Sequence, residues 1–381
     1  MFEIIITLDY ELPATTDGDV RRHMIEPTAN VLDTCQQRGA KLTVLAEVGE
    51  LWAFEKVMNA RFREHLRYDA AGEIRRQLVD VIRRGHDVQL HLHPQWVNAR
   101  WESGRWHLDY AHYHLADFAD DEMVDILRRG KADLETLLRP HDANYECGGF
   151  RAGNWNTQPA DRYIAALRAA GLKSDTSVFK WGYADSAAVG YDYRSAYSNV
   201  CAWYVQDRDL NSRSSEGIVL EVPIATELVR SIKMLTPKRL WLARKYLRED
   251  GTIEAAVKSA KGSQARSGGA AIRLRKLLGR CPMKLDFCKL TAPEMLGMVR
   301  SFIRQCRSSA DTLPIPLVMI GHSKAVGAAP ALGRFLGLLK KECGDMVRFS
   351  TYRGFVREYG AAAGAAKSRS ESMVGQEQNS A

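Results

Sequence analysis

The chain has 381 residues, 45% apolar and 26% charged, with a formal net charge of +8 and seven cysteines. This length admits one large α/β domain or two smaller ones. No run approaches the roughly 20 apolar residues of a membrane-spanning helix. The cysteines (Cys35, Cys147, Cys201, Cys281, Cys288, Cys306 and Cys343) lack CxxC spacing, which argues for reduced thiols in a cytosolic protein and against a structural zinc–cysteine site.

The N-terminus enters Phe2-Glu-Ile-Ile-Ile-Thr-Leu8 directly. Without a basic n-region or a cleavage site, this run reads as a strand and not as a signal peptide. A helix follows over about Glu26 to Gln37, then a strand over Lys41–Ala46. Glu73–Arg84 places Ile74, Leu78, Val81 and Ile82 on one helical face; Gly85 ends it, and Asp87–Leu92 is the next strand. Met123–Leu138 repeats the helical period behind Asp120, Asp121 and Glu122, acids that the helix dipole favours at an N-terminus. Further strands are expected at Gly149–Arg151, Leu172–Thr176, Ile218–Val222, Leu317–Ile320 and Val347–Ser350, with a helix at Ala160–Ala170. The alternation predicts a parallel sheet, open or closed as a barrel.

Residues 230–280 interrupt this pattern. They hold 14 Lys and Arg against Glu249, Asp250 and Glu254, so the segment carries +11 where the whole chain carries +8, and the remainder is net acidic. We read a basic helical insertion with a Gly/Ser-rich break at Lys261–Gly269. It is either a solvated excursion or a surface for anionic headgroups or an anionic glycan carrier. With Trp241 and Tyr246 as its only aromatics, no nucleic-acid partner is expected. Residues 1–360 are expected to form one domain and 361–381, rich in Ala, Gly, Ser, Glu and Gln, a disordered tail.

Polar residues recur where strands end: Asp9 and Glu11, His91 and His93, Arg151, Asp175, His322. In a (β/α) barrel, catalytic residues gather at that face, which favours a barrel over an open sheet. His91 and His93 are two apart, so on an extended strand both imidazoles face one side and reach one ion. Asp9 and Glu11 obey the same spacing. One carboxylate can complete a His₂-carboxylate site, and the other can stay free as a general base; a helix cap or an ion pair with a nearby Arg is the alternative, chiefly for Glu11. His322, in Ile320-Gly-His-Ser323, presents one imidazole at the sheet's rim or is a satisfied loop histidine. Arg151 holds a carboxylate or substrate, or clamps backbone. His112 and His114 lie in a polar aromatic loop and are assigned to substrate-loop or surface roles.

Taken together these motifs resemble the polysaccharide deacetylases of carbohydrate esterase family 4, including divergent relatives in cell-surface glycan synthesis. Thr7-Leu-Asp-Tyr-Glu11 looks like the first motif, with Tyr10 where the family has the second of two adjacent acids. Gly85-His-Asp-Val-Gln-Leu-His91 looks like the second; the family's second histidine lies four residues on, where this chain has Gln95, with His93 at two. Phe150-Arg-Ala-Gly-Asn-Trp155, Asp175 in Ser174-Asp-Thr-Ser-Val178, and Ile320-Gly-His322 are similar to the third, fourth and fifth motifs.

The resemblance spans about residues 1–226 and 283–355. It implies a distorted (β/α) barrel and a divalent metal, Zn²⁺ by preference, on Glu11, His91 and His93. It further implies Asp9 as base, Arg151 pairing with Asp9, and a protonated His322 oriented by Asp175 as acid. Tyr10 (through its backbone N–H), Asn154, Trp155, Trp96 and Trp101 are the expected substrate contacts. The implied reaction is removal of an N-acetyl or related acyl group from a saccharide or lipid-linked saccharide, in the cytoplasm or at the inner membrane face. Two other classes stay open: a metal-free relative that binds glycan through the same cleft, and a membrane-surface assembly protein acting through 230–280.

Overall fold

The computed structural model describes residues 1–13, 18–57, 66–262, 279–306, 313–325 and 327–378. Seven parallel strands carry the polar residues named above: β1 (Phe2–Tyr10), β2 (Leu42–Glu47), β3 (Asp87–Leu92), β4 (Gly149–Ala152), β5 (Ser174–Asp175), β6 (Leu220–Glu221) and β7 (Ile315–His322). Their order in the sheet is β6-β5-β4-β3-β2-β1-β7. Strand Val347–Phe349 runs parallel beside the start of β1, and Trp203–Gln206 with Asp209–Arg213 extends the β6 edge antiparallel. The long apolar runs of β1 and β7 are buried on both faces, as parallel strands covered by helices require.

The sheet curls as a half-barrel. Irregular backbone spans its two ends. Val222 N donates to Asp175 O at 2.8 Å and Ala225 N donates to Val318 O at 3.1 Å. Single bridges join Ile224 to Val318 and Asp286 to Ile320. Segments 222–225 and 285–287 therefore stand where a further ladder would close a regular barrel. Gly321 permits this approach: a Cβ there would lie 2.1 Å from the Phe287 ring.

Expected helices are present at Glu26–Gln37, Ala70–Arg83, Asp120–Leu138 and Ala160–Ala169. The second begins three residues before Glu73, where the Asp69 carboxylate accepts from Gly72 N at 3.0 Å. Helix Val48–Val57 has no counterpart in the sequence reading. Its residues from Val48 to Phe54 are all buried, so it shows no amphipathic period.

Segment 231–279 leaves and rejoins the body at the antiparallel pair Thr226–Arg230 and Arg280–Lys284. It contains helix Pro237–Lys261, and most of the Gly/Ser break lies outside the described residues. The helix is docked at its C-terminal half. Ile253 and Val257 pack with Tyr113 and Ala188, the Glu254 carboxylate accepts from Ala187 N and Ala188 N at 3.1 and 3.0 Å, and Lys261 Nζ lies 2.5 Å from Asp117 Oδ2.

Helix Tyr352–Gln378 continues past 361, where the sequence reading places a tail; 379–381 lie outside the described residues. The low-complexity composition that suggested a tail is also alanine-rich, and alanine is the strongest helix former. No described helix is long and apolar enough to cross a membrane.

Candidate metal centre

Strand register sets the site. Asp9 on β1 is paired with His322 on β7, Glu47 on β2 with His91 on β3, and His91 with Arg151 on β4. The i, i+2 spacing then turns Asp9 and Glu11, and His91 and His93, to the same side of their strands. The structure brings Asp9, Glu11, His91, His93, Arg151 and His322 together. Glu11, His91 and His93 each offer a ligand atom within 4.8 Å of the others, as do Asp9, Glu11 and His322.

The first of these sets fits a metal ion. His93 Nε2 lies 2.7 Å and His91 Nε2 3.8 Å from Glu11 Oε2. His91 Nδ1 donates to the Arg151 carbonyl at 2.8 Å, which fixes the ring's orientation and turns Nε2 toward the acids. That Nε2 is buried and has no hydrogen-bond partner among the described residues. Two imidazoles and a carboxylate form the mixed nitrogen and oxygen donor set of catalytic divalent-metal sites. Lys324 Nζ holds the other oxygen of Glu11 at 2.9 Å.

Asp9 is bound differently. Arg151 Nη1 donates to its Oδ1 at 2.6 Å and to Thr7 Oγ1 at 3.0 Å, while Arg151 Nε donates to Thr176 O at 2.9 Å. Burial by itself raises a carboxylate pKa; here the charges of Arg151 and then His91 outweigh it and hold Asp9 below its usual range. Oδ2 remains free of Arg151, 3.6 Å from His322 Nε2. Burial lowers the His322 pKa from 6.5, against the opposing fields of Asp9 and Glu11, so the imidazole is neutral at neutral pH.

Two expectations for site residues differ from the structure. Asp175 is not among the acids facing His322: its carboxylate accepts from Tyr163 Oη at 2.6 Å and from Ser177 Oγ and N at 2.9 Å. The acids facing His322 are Asp9, Glu11 at 3.9 Å, and Asp286, whose charge also acts on it. His322 is not protonated at rest, for the reason just given. The Tyr10 side chain alternates to the outer face of β1 and is buried near Glu50 and Glu73, which leaves its backbone N–H as the group expected to meet substrate.

Asn154, Trp155 and Trp96 do line a cleft of about 670 Å³ beside Glu11 and His93, and Gly251, Ile253 and Glu254 of helix Pro237–Lys261 form another part of its wall. Trp101 instead packs edge-on against Trp106. His112 Nδ1 pairs with Asp109 at 2.8 Å.

Besides Lys324 and Asp286, Glu47 and Lys284 escaped the sequence reading. Glu47 is buried beneath the histidines, accepting from His93 N and, at 2.8 Å, from Gly49 N. It stands one residue past the expected end of β2, so extending that strand would have found it. Lys284 places its ammonium 3.4 Å from the Trp155 ring centroid and 4.0 Å from that of Phe179, and burial lowers its pKa well below 10.5. No local motif marks it, because only the cross-barrel bridge of 285–287 carries it to the site.

The charges around His91 make metal uptake pH-dependent. Burial favours its neutral form, but the nearby carboxylates of Glu11, Asp9 and Glu47 push its pKa up to about 9. The metal-free imidazole is therefore protonated at neutral pH, and an ion must displace that proton. Metal affinity is expected to rise about tenfold per pH unit from the neutral range and to level off above about 9. Calorimetric titration in buffers of different ionisation enthalpy should detect about one proton released per ion; a flat affinity over that range contradicts the assigned ligand.

No family model matches the sequence, and no curated protein matches it. Among solved structures, the chain is similar to one from Mycobacterium smegmatis assigned to the polysaccharide deacetylases (12% identity, 94% of this chain and 90% of that one, TM-score 0.46). It is also similar to Puue allantoinase (10% identity, 94% and 90%, TM-score 0.46). A third similar structure is the 4-alpha-glucanotransferase of Thermococcus litoralis (12% identity, TM-score 0.49), of which the alignment covers 40% while covering 94% of this chain.

Proposed function

We propose that the protein is a metal-dependent hydrolase that removes an acyl group, N-acetyl by preference, from a saccharide. The observation that carries this reading is the buried, unpartnered His91 Nε2 beside Glu11 and His93, next to an Asp9 kept ionised by Arg151. Glu11, His91 and His93 would hold the ion, for which zinc suits the donor set. When bound, it would supply Lewis acidity toward a carbonyl oxygen and lower the pKa of water.

The chain's own groups then manage the proton. Asp9 Oδ2 is the acceptor for the proton of the attacking water, and its Oδ1 stays with Arg151 throughout. His322 Nε2, neutral and 3.6 Å from Oδ2, takes that proton in turn. It delivers the proton to the nitrogen as the C–N bond breaks, leaving a free amine and a carboxylic acid that loses its remaining proton to solvent. Trp155, whose ring centroid lies 6.4 Å from that of His322, and Trp96 give the cleft flat walls for the C–H faces of a sugar. Asn154 Nδ2 is committed to Tyr113 Oη at 3.1 Å, which fixes the loop that carries Trp155.

Asp9→Asn tests the assignment. The variant is expected to keep its metal and to lose at least about a hundredfold in acetate release from N-acetylated oligosaccharides, the usual scale of a general base. Unchanged turnover with full metal content would remove Asp9 from the reaction. Absence of acetate release by the metal-loaded wild type across N-acetylated substrates would overturn the activity.

A further inference from the structure

We propose that Arg230, Lys233 and Arg280, together with Ile232, Leu235 and Leu240, form a docking surface for an anionic phospholipid bilayer. Ile232 is 67% exposed, Leu235 46% and Leu240 48%. Of eight large apolar side chains exposed among the described residues, these three fall within nine positions. They are held out rigidly. The buried Arg239 donates to Lys233 O at 2.9 Å and to Glu294 Oε1 at 2.6 Å, and Thr236 Oγ1 accepts from Arg239 N at 3.3 Å. Ser231 N donates to Gly279 O at 2.9 Å. The backbone bearing the leucines is thus fixed to the body while their side chains face water.

The charges around them share one sign. Arg230 and Arg280 are direct cross-strand partners, an arrangement that like charges disfavour unless an anion lies between or above them. Among the described residues no acid pairs with Arg230, Lys233 or Arg280, and all three are exposed. A second copy of the chain would bring the same positive charge and be repelled. A soluble polyanion would satisfy the cations but has no use for three aliphatic side chains. A bilayer with anionic headgroups satisfies both, by charge attraction and by shallow burial of Ile and Leu at the acyl boundary.

The placement has a consequence. Leu240 and Gly251 lie on the same helix, eleven residues and therefore about 16 Å apart, and Gly251 lines the cleft. Docking through this face holds the cleft near the headgroups, within reach of a saccharide carried on a lipid. The inference goes beyond the hydrolase reading and does not depend on it, because its test uses no turnover.

The full chain is floated with vesicles of phosphatidylcholine alone and of phosphatidylcholine mixed with phosphatidylglycerol. Binding is expected only to the mixed vesicles, falling at least about tenfold at high salt. Arg230→Gln/Lys233→Gln/Arg280→Gln and Ile232→Ser/Leu235→Ser/Leu240→Ser are each expected to weaken it at least about tenfold while metal content and circular dichroism stay unchanged. Four outcomes overturn the proposal: no binding by wild type, equal binding to both vesicles, variants that bind as wild type, or a wild-type dimer that the leucine variant disperses. Binding of polyphosphate or RNA with an affinity indifferent to the leucine variant, without vesicle binding, also overturns it.

Discussion

Replacing His91 or His93 by alanine is expected to abolish stoichiometric metal and, with it, hydrolysis. Each supplies one of three donors around a single point, and the remaining pair of ligands is bidentate at best. Loss of a group that merely supports a ligand typically costs 10–100-fold in affinity, so loss of the ligand itself should exceed about 100-fold. The supporting group also makes a prediction. Gln95 Nε2 lies 3.3 Å from His93 Nδ1, and Gln95 Oε1 has no partner among the described residues. Turning the amide offers Oε1 to an Nδ1–H and frees His93 Nε2 for the ion. Gln95→Ala should therefore weaken metal binding by about 10–100-fold without abolishing it. Metal analysis and chelator competition separate the two grades; full metal on either histidine variant would displace the ion to the set of Asp9, Glu11 and His322.

Arg151→Ala is expected to destabilise the fold by about 3–5 kcal/mol, out of a total that is about 5–15 kcal/mol for most domains. Arg151 is fully buried and ties β4 to Thr7 and Asp9 on β1 and to the backbone after β5. Without it, Asp9 keeps its burial and loses its principal counter-charge. The sign with pH follows. In the wild type the folded Asp9 pKa is depressed, so its contribution is present above the unfolded value of 3.8 and is lost as pH falls through the folded one. In the variant burial acts unopposed by Arg151, so the carboxylate penalises folding at neutral pH and ceases to once protonated. The gap between the two proteins should be widest near pH 7 and narrow toward acid, as urea unfolding with an unchanged m-value can measure. A gap below about 1 kcal/mol at pH 7 would mean that the pair contributes little.

Much of this was legible locally. β3 and helix Glu26–Gln37 have the limits that their apolar patterns and punctuation set, and β1 runs two residues past Leu8 so that Asp9 and Tyr10 are strand residues. The period of two along β1 and β3 is sufficient to put Asp9 with Glu11, and His91 with His93, on common faces. What was misread shares one cause: a local pattern says nothing of what stands across the sheet. Asp175 has the residue type and strand-end position for orienting a histidine, but Tyr163 and Ser177 occupy its carboxylate. Asp286 and Lys284 have no marking pattern and reach the site through irregular bridges. The basic segment read equally well as solvated or as functional; its C-terminal half forms part of the cleft wall because Ile253, Val257 and Glu254 find partners in loops more than sixty residues away.

The sequence by itself therefore determined the parallel strands that carry the site, the faces their polar residues share and the donor types available, since these depend on neighbours within a few positions. Only the tertiary structure decided the partners. Register between β1, β3, β4 and β7 sets Asp9 against Arg151 and His322. Burial, which belongs to the whole fold, sets their charges: Asp9 ionised because Arg151 outweighs desolvation, and His322 neutral because nothing near it does.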